Sequence, residues 1–293
     1  MGKKDSTQKR LEDYNDVFAD IVNVLLFHGE QVIKEEELET THTKDTYTAE
    51  EQEIHEIERD VAKKWKNADM HIAMLGLENQ TNMDDDMPLR VICYDGASYR
   101  EQLNKKQPKK HCPVITLVLY MGTEKCWDTS TKLTDCFEVD ERLIPYISDY
   151  NINIINLAWL EDAQIQLFKS DFKNFVEYLR DTRLGIEPRY SPIQLKHVHE
   201  FFQLMRAMTG DNNYKTIYNE FAANRQKGVD VTMESILTLQ IKRSEARGEL
   251  KQAKKTALEM YKDKMNIETI AKYTKFDVPT IKEWIKEANK SLI

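Results

Sequence analysis

Three runs of mostly apolar residues, at 71–77, 113–121 and 151–160, are the strongest pattern along the chain. Continuous aliphatic and β-branched runs of this length are typical of strands that a sheet buries on both faces. A shorter piece, from residue 60 onward, precedes the first run, and the polar residues 66–69 between the two are typical of a turn. The pattern therefore predicts a hairpin of two neighbouring strands.

Apolar residues that recur every three or four positions predict amphipathic helices in other places. They occur at 8–28, where Gly29 would end the helix, at 89–105, where Pro88 suits the first turn, and at 162–183. Helices and strands that follow one another in this way are typical of an α/β domain with a mixed sheet.

Carboxylate and amide side chains stand at the ends of the predicted hairpin strands. Asp60 opens the first strand, and Glu78 and Gln80 follow the second. Because alternate residues of a strand share a face, Glu78 and Gln80 would point to the same side. If the hairpin brings Asp60 beside Glu78, two oxygen donors converge where a hard divalent cation such as Mg²⁺ can bind. The alternative is that these are solvated acids at strand ends.

Beyond the third predicted helix the composition changes. Residues 184–192 contain a glycine and two prolines and are expected to form a linker. The remainder is rich in helix-forming residues and predicts an all-helical region, with helices at 193–208, 214–225 and 231–264.

Near the end of the chain, residues 266–290 predict two short helices joined by a tight turn. Their apolar residues fall on the inner side, an arrangement similar to a helix-turn-helix, whose second helix can enter the major groove of DNA. Thr280, Lys282 and Lys286 would then face outward toward DNA. The alternative is a helical cap or coiled-coil oligomerisation tail that never touches DNA, which the acidic residues on the second helix favour.

The charge of the chain is unevenly distributed. The formal net charge of −8 is unfavourable for a protein that handles DNA, because duplex affinity comes mostly from Lys and Arg. Residues 241–293 contain 13 Lys and Arg against 8 Asp and Glu, which gives +5 there and leaves −13 for residues 1–240. The 293 residues, 41% hydrophobic and 31% charged, suit an ordinary globular protein of one or two domains.

The cysteines and the lengths of the apolar runs indicate where in the cell the protein is expected. The four cysteines show neither a C-x-x-C pair nor zinc-ligand spacing, so we expect reduced thiols. The apolar runs are far shorter than the roughly 20 residues that span a bilayer. No apolar signal region follows the charged N-terminus, so we expect a cytoplasmic protein without membrane contact.

Several segments together resemble the recombination-promoting nuclease (Rpn) family of transposase-related proteins. They are LGLENQT at 75–81, DMPLRV at 86–91, YD at 94–95 and PVITLVLYMG at 113–122. The resemblance covers roughly residues 11–125. That family is similar to the wider PD-(D/E)XK nuclease superfamily, in which an Asp on one strand and a Glu-x-Lys on the next bind the catalytic metal. The resemblance implies a restriction-endonuclease-like core with a mixed central sheet flanked by helices.

The resemblance implies roles for individual residues. Carried over by position, Asp60 and Glu78 are the metal ligands, and Gln80 stands where the superfamily has lysine. A neutral amide neither carries positive charge nor takes a proton from water, so Gln80 would orient water or a phosphate oxygen. Arg90, on one helix face with Tyr94, is a candidate for the missing charge. The alternative is an ordinary surface Arg beside a half-buried Tyr.

The resemblance also bears on the N-terminal residues. It places the first core strand within 31–48, where periodicity alone predicts nothing. Nucleases of the superfamily sometimes add an acid from the first helix to the site, but Asp13, Asp16 and Asp20 are more simply solvated surface acids. The strongly acidic residues 50–58 are expected to form a solvated helical turn or a loop.

We therefore expect a PD-(D/E)XK nuclease-like α/β domain at 1–183, a linker at 184–192 and a helical region at 193–293. The expected function is that of a Mg²⁺-dependent DNA endonuclease that hydrolyses phosphodiester bonds, and the resemblance implies a role in DNA recombination or transposition. The rival prediction is a non-catalytic DNA-binding or scaffold protein that retains the nuclease fold. Gln80 and the acidic main domain favour this rival. The C-terminal helices could also join copies of the chain into a homo-oligomer.

Overall fold

The computed structural model has mixed α/β secondary structure. It describes residues 10–41, 44–48, 54–58, 61–66, 70–77, 83–104, 111–186, 194–209, 218–219, 250 and 252–290. The chain divides into two compact units, Met1–Met233 and Glu234–Ile293.

The described strands of the first unit form two sheets. In chain order they are β1 (Leu38–Thr40), β2 (Lys44–Thr48), β3 (Ile54–Glu58), β4 (Val61–Trp65), β5 (Met70–Leu77), β6 (Val114–Tyr120) and β7 (Asn153–Asn156). β2 and β3 pair with each other, and the other five strands form a mixed sheet in the order β1-β4-β5-β6-β7. Neighbours are antiparallel from β1 to β5 and parallel from β5 to β7. The crossover from β5 to its parallel neighbour contains α2 (Met87–Asn104), as parallel pairing requires.

The predicted hairpin is present. β4 and β5 are antiparallel, with Val61 opposite Met74 and Trp65 opposite Met70. Leu77 therefore extends three residues beyond the position opposite Val61. The apolar run at 113–121 forms β6 within the sheet, between β5 and β7, and most of its aliphatic side chains are fully buried.

Helix α1 (Asn15–Phe27) packs against the sheet, and two contacts with β4 show the direction in which it runs. Its Phe18 ring lies 5.7 Å from the Lys63 ammonium, and its Phe27 ring lies 6.2 Å from the Trp65 ring. Because Trp65 is at the far end of β4 from Val61, the N-terminal end of α1 points toward the edge at which β4 begins.

The predicted helix at 162–183 is wrong as a single element. It is two helices, α3 (Asp162–Ile165) and α4 (Phe172–Leu184). Between them the Asp20 carboxylate accepts hydrogen bonds from the backbone N–H of Lys169 (2.9 Å) and Ser170 (2.7 Å). These amides are thereby satisfied outside a helix, and the Phe168 side chain of the segment stays buried without helical continuity.

Two other elements also differ from expectation. The strand expected at 151–160 is β7 alone, followed by the 3₁₀ turn Leu157–Trp159. Within the acidic stretch 50–58, which was expected to be a helical turn or a loop, residues 54–58 form β3. Antiparallel pairing with β2 supplies their backbone hydrogen bonds, and this outweighs the acidic composition.

Helix α5 (Val198–Thr209) follows the predicted linker, and it packs against α4 and the 3₁₀ turn Leu11–Asp13. The first compact unit therefore includes this helix. Most of the predicted linker, namely residues 187–192, lies outside the described part of the chain. The same is true of most of the helices expected at 214–225 and 231–264.

The second unit is helical over most of its described length. Residues 252–262 are helical and are followed by α6 (Ile267–Thr274) and α7 (Val278–Lys290), as predicted for 266–290. Their shared core consists of Ala257, Ile270, Ile281, Trp284 and Ile285. In the described parts of both units, no helix has the length and apolar character needed to cross a membrane.

Candidate functional site

One edge of the five-stranded sheet collects several strand ends. β4 begins there at Val61, and the ends of β5, β6 and β7 meet there, since Leu77 pairs with Tyr120 and Tyr120 with Asn156. β1 ends at the same edge, where the Thr41 backbone N–H donates to the Ala62 carbonyl at 3.1 Å. We call this the strand-end edge.

The two predicted metal ligands and Gln80 adjoin the strand-end edge in sequence. Asp60 precedes Val61, the first residue of β4, and Glu78 and Gln80 follow β5. All three lie outside the described residues. What the described strands establish is that the chain enters β4 and leaves β5 at the same end of one antiparallel pair.

Arg90 and Tyr94 share one face of α2, as expected. The Arg90 Nη1 donates to the Asp84 carboxylate at 2.6 Å, and Nη2 lies 3.5 Å from the Tyr94 hydroxyl. Burial alone would lower the pKa of Arg90, but the hydrogen bonds to Asp84 and Tyr94 outweigh it and raise the pKa. The guanidinium side chain remains 43% exposed, so a phosphate oxygen can reach it in competition with Asp84.

The Tyr94 ring belongs to the core at the strand-end edge. It packs in one cluster with Met87 and Val91 of α2 and with Val118 and Tyr120 of β6. Tyr94 is buried rather than half-buried, and it anchors the start of α2 over the C-terminal half of β6. Arg90, one turn earlier on the same helix, is thereby held near the strand ends.

A cavity of about 670 Å³ opens at the N-terminal end of α1, beside Thr40 at the end of β1. Its lining residues are Asp13, Tyr14, Asn15, Asp16, Glu35, Thr40, Lys196 and His197. The cavity thus lies on the α1 side of the sheet, toward the strand-end edge. The Thr40 hydroxyl also accepts a hydrogen bond at 3.2 Å from the ammonium group of Lys63, a β4 residue that is almost completely buried.

Asp16 is the centre of an ionic cluster in this cavity. Its carboxylate lies 2.9 and 3.0 Å from His197 Nε2 and accepts a hydrogen bond from Lys196 Nζ at 2.8 Å. Burial alone would raise the pKa of Asp16, but the hydrogen bonds from Lys196 and His197 outweigh it and lower the pKa. Since His197 lies 181 positions from Asp16, no sequence pattern could have indicated this contact.

Tyr14 extends the cluster toward α5. Its ring stacks on the His197 ring with centroids 3.6 Å apart, and its hydroxyl donates to Glu200 at 2.8 Å. Burial, together with the Glu200 carboxylate, raises the pKa of Tyr14 to about 12. The backbone N–H groups of Lys196 and His197 donate to Asp171 at 3.0 and 2.6 Å. These contacts join the segment that leads into α5 to the starts of α1 and α4.

The acids of the first helix are not simply solvated. Asp20 is buried and accepts two backbone hydrogen bonds, so the expectation of a surface acid is wrong for this residue. Asp16 is ion-paired, and Asp13 accepts the Arg10 backbone N–H at 2.8 Å. Each of these acids has protein partners.

In the second unit the three predicted DNA-facing residues differ in exposure. Lys282 and Lys286 are exposed, whereas Thr280 is half-buried. The Thr280 backbone N–H donates to the Asp277 carboxylate at 3.0 Å, and a further bond from the Thr280 hydroxyl helps to lower the pKa of Asp277.

Strands β4–β7 and helix α2 all fall within a segment that comparison with known families identifies. Residues 51–173 match the family described as "Putative transposase, YhgA-like". The match confirms the resemblance to the Rpn family, to which YhgA-like sequences are related. It links this segment to transposition or recombination, and hence to DNA. No curated protein and no solved structure matches the chain.

The YhgA-like segment contains every residue of the predicted metal site, and it ends within α4. Among the residues that the structure describes, no group of three or more His, Cys, Asp and Glu side chains is placed to hold a metal ion. The donor set at Asp60 and Glu78, two carboxylates, has the oxygen chemistry that Mg²⁺ prefers.

Proposed function

We propose that the first unit is a Mg²⁺-dependent DNA endonuclease with a PD-(D/E)XK core, acting in recombination or transposition. The observation that carries the proposal is the antiparallel pairing of β4 with β5 inside the YhgA-like segment. Because of this pairing, β4 begins and β5 ends on the same side of the sheet. Asp60 immediately precedes β4, and Glu78 immediately follows β5.

Asp60 and Glu78 would hold the cation, and Gln80 would position water or a phosphate oxygen through its amide. A bound Mg²⁺ supplies stabilisation of charge on the scissile phosphate and lowers the pKa of water. Arg90 would bind a phosphate oxygen, since its guanidinium is partly exposed and Tyr94 anchors its helix turn. Because Asp84 already neutralises this guanidinium, phosphate binding requires Arg90 to exchange or share that partner.

A non-catalytic DNA-binding protein on the same fold is the second candidate. Two observations favour it: Gln80 replaces the lysine of the superfamily, and the Arg90 charge is matched by Asp84. In this case the first unit would be a scaffold, and DNA contact would come from elsewhere in the chain.

Nicking of supercoiled plasmid separates the two candidates. We expect the full chain to nick plasmid in Mg²⁺ and not in EDTA. Glu78→Gln should lower the rate by more than the roughly 10–100-fold that loss of an outer-shell metal partner costs. A matched control is Glu141→Gln, which removes an exposed acid from the loop between β6 and β7 of the YhgA-like segment and should leave the rate unchanged. Absence of metal-dependent nicking by the wild type, or an undiminished rate in Glu78→Gln, would contradict the nuclease.

A further inference from the structure

Helices α6 and α7 both have capped ends, and a short turn joins them. Asn266 caps α6 by accepting the Thr269 backbone N–H at 2.7 Å, and α6 ends at Lys275, which adopts the left-handed conformation with φ of 61°. Asp277 then caps α7 through the Thr280 N–H. Three residues, 275–277, therefore reverse the chain between two capped helices.

A packed core sets the angle between these helices. Ile270 of α6 and Ile281 and Trp284 of α7 are buried together, with Ala257 contributed by the helical residues 252–262. Phe276, within the turn, packs its ring 5.0 Å from the Trp284 ring. Helix, three-residue turn and helix on a third supporting helix are the parts of a helix-turn-helix.

The exposed side of α7 forms one row. Lys282 and Lys286 are exposed and four residues apart, so they lie on the same face of the helix, while the buried residues occupy the other. At the end of α6 and in the turn, Lys272 and Lys275 are exposed, and Tyr273 is 66% exposed. An exposed aromatic ring with lysines on either side suits a phosphate backbone better than it suits free solvent.

The sign of the charge agrees with this partner. Residues 234–293 contain 13 Lys and Arg against 9 Asp and Glu, a net charge of +4, whereas residues 1–233 carry −12. Since neutralised phosphates supply most of the affinity for duplex DNA, the second unit is the part of the chain suited to it.

We propose that the second unit binds duplex DNA as a helix-turn-helix, independently of any hydrolysis by the first unit. α7 enters the major groove with Lys282 and Lys286, and α6 crosses the backbone, where Tyr273 and Lys275 contact phosphates. Thr280 acts through the cap that it forms with Asp277, which fixes the start of the groove helix. The rival role for these helices is oligomerisation, consistent with Glu268 and Glu283 on their exposed surfaces.

Fluorescence anisotropy of a labelled duplex of about two helical turns tests the proposal. The full chain is used in EDTA and with the Glu78→Gln change, so that cleavage plays no part in the result. We expect salt-sensitive binding that falls about 10-fold in Lys282→Gln/Lys286→Gln, with the slope of log affinity against log salt reduced by about 2. Circular dichroism checks that the double variant keeps its helical content.

The matched control is Lys255→Gln/Lys262→Gln, which removes two exposed charges from the supporting helical segment instead. It should change the affinity less than about 3-fold, because it lowers the net charge by the same amount without removing a proposed DNA contact. Equal losses in the two double variants, or no binding by the parent at low salt, would overturn the proposal. So would unchanged DNA affinity in a Lys282→Gln/Lys286→Gln variant whose sedimentation shows a lost oligomer. None of these results depends on whether the first unit is a nuclease.

Discussion

The first compact unit is acidic and mixed α/β, whereas the second is basic and, in its described elements, helical. The YhgA-like match falls wholly within the first unit. Under the two proposals, the unit that carries the chemistry lacks the positive charge that holds DNA, and the other unit supplies that charge. On these proposals binding and cleavage are divided along the chain, so cleavage can be removed without loss of DNA binding.

The largest expected effect tests whether the units fold separately. Ile281→Ala removes a fully buried side chain from the small core of the second unit and should cost about 2–5 kcal/mol of its free energy of unfolding. Hydrogen exchange should accelerate across α6 and α7 and remain unchanged in β4–β6. Leu250→Ala, at a 44% exposed leucine of the same unit, is the control and should have little effect. Faster exchange in the central sheet would show that the two units unfold together.

A smaller effect is expected from the first unit's buried acid. Asp20→Ala leaves the backbone N–H groups of Lys169 and Ser170 without their acceptor and should destabilise the first unit by about 1–3 kcal/mol. Asp20→Asn keeps one acceptor oxygen and should cost less. Urea unfolding followed by tryptophan fluorescence measures both changes. Equal stability of the alanine variant and the wild type would mean that the turn between α3 and α4 does not depend on Asp20.

These examples show which parts of the fold the sequence predicts. The hairpin and β6 follow from apolar runs, because local pattern and burial agree there. The break between α3 and α4 could not be predicted, since its acceptor, Asp20, is 149 residues from Lys169. The tail helices were predictable because their caps, Asn266 and Asp277, are local.

The candidate site divides in the same way. Asp60, Glu78 and Gln80 are indicated by the resemblance to a family, and the structure adds only that β4 begins and β5 ends on the same side of one antiparallel pair. The cluster around Asp16 and His197 was not predictable, because its contacts join helices far apart in sequence. Polar contacts between distant residues leave no periodic pattern in the sequence, whereas the burial of one face of a helix or strand does.

The ion pair of Asp16 should make the stability of the first unit depend on pH. The pKa of Asp16 is lowered in the folded state, so the stability it contributes is present above its unfolded pKa of about 3.9 and is lost as the pH falls through the folded value. Asp16→Asn should therefore destabilise the first unit at pH 7, and the difference from wild type should shrink below about pH 4. Urea unfolding from pH 3 to pH 7 measures this. A constant difference across that range would mean that the carboxylate charge contributes nothing.

The smallest expected effect concerns the turn of the second unit. Lys275 ends α6 at φ of 61°, a conformation that glycine adopts without strain, as Gly185 does at the end of α4 with φ of 66°. Lys275→Gly should therefore stabilise the second unit by about 0.5–1 kcal/mol, after allowance for the greater freedom of glycine in the unfolded chain. Thermal unfolding followed by circular dichroism at 222 nm measures the change, and Lys272→Gly, inside α6, should destabilise by a similar amount. If Lys275→Gly also weakens duplex binding despite the added stability, the lysine is retained for contact with phosphate rather than for the turn.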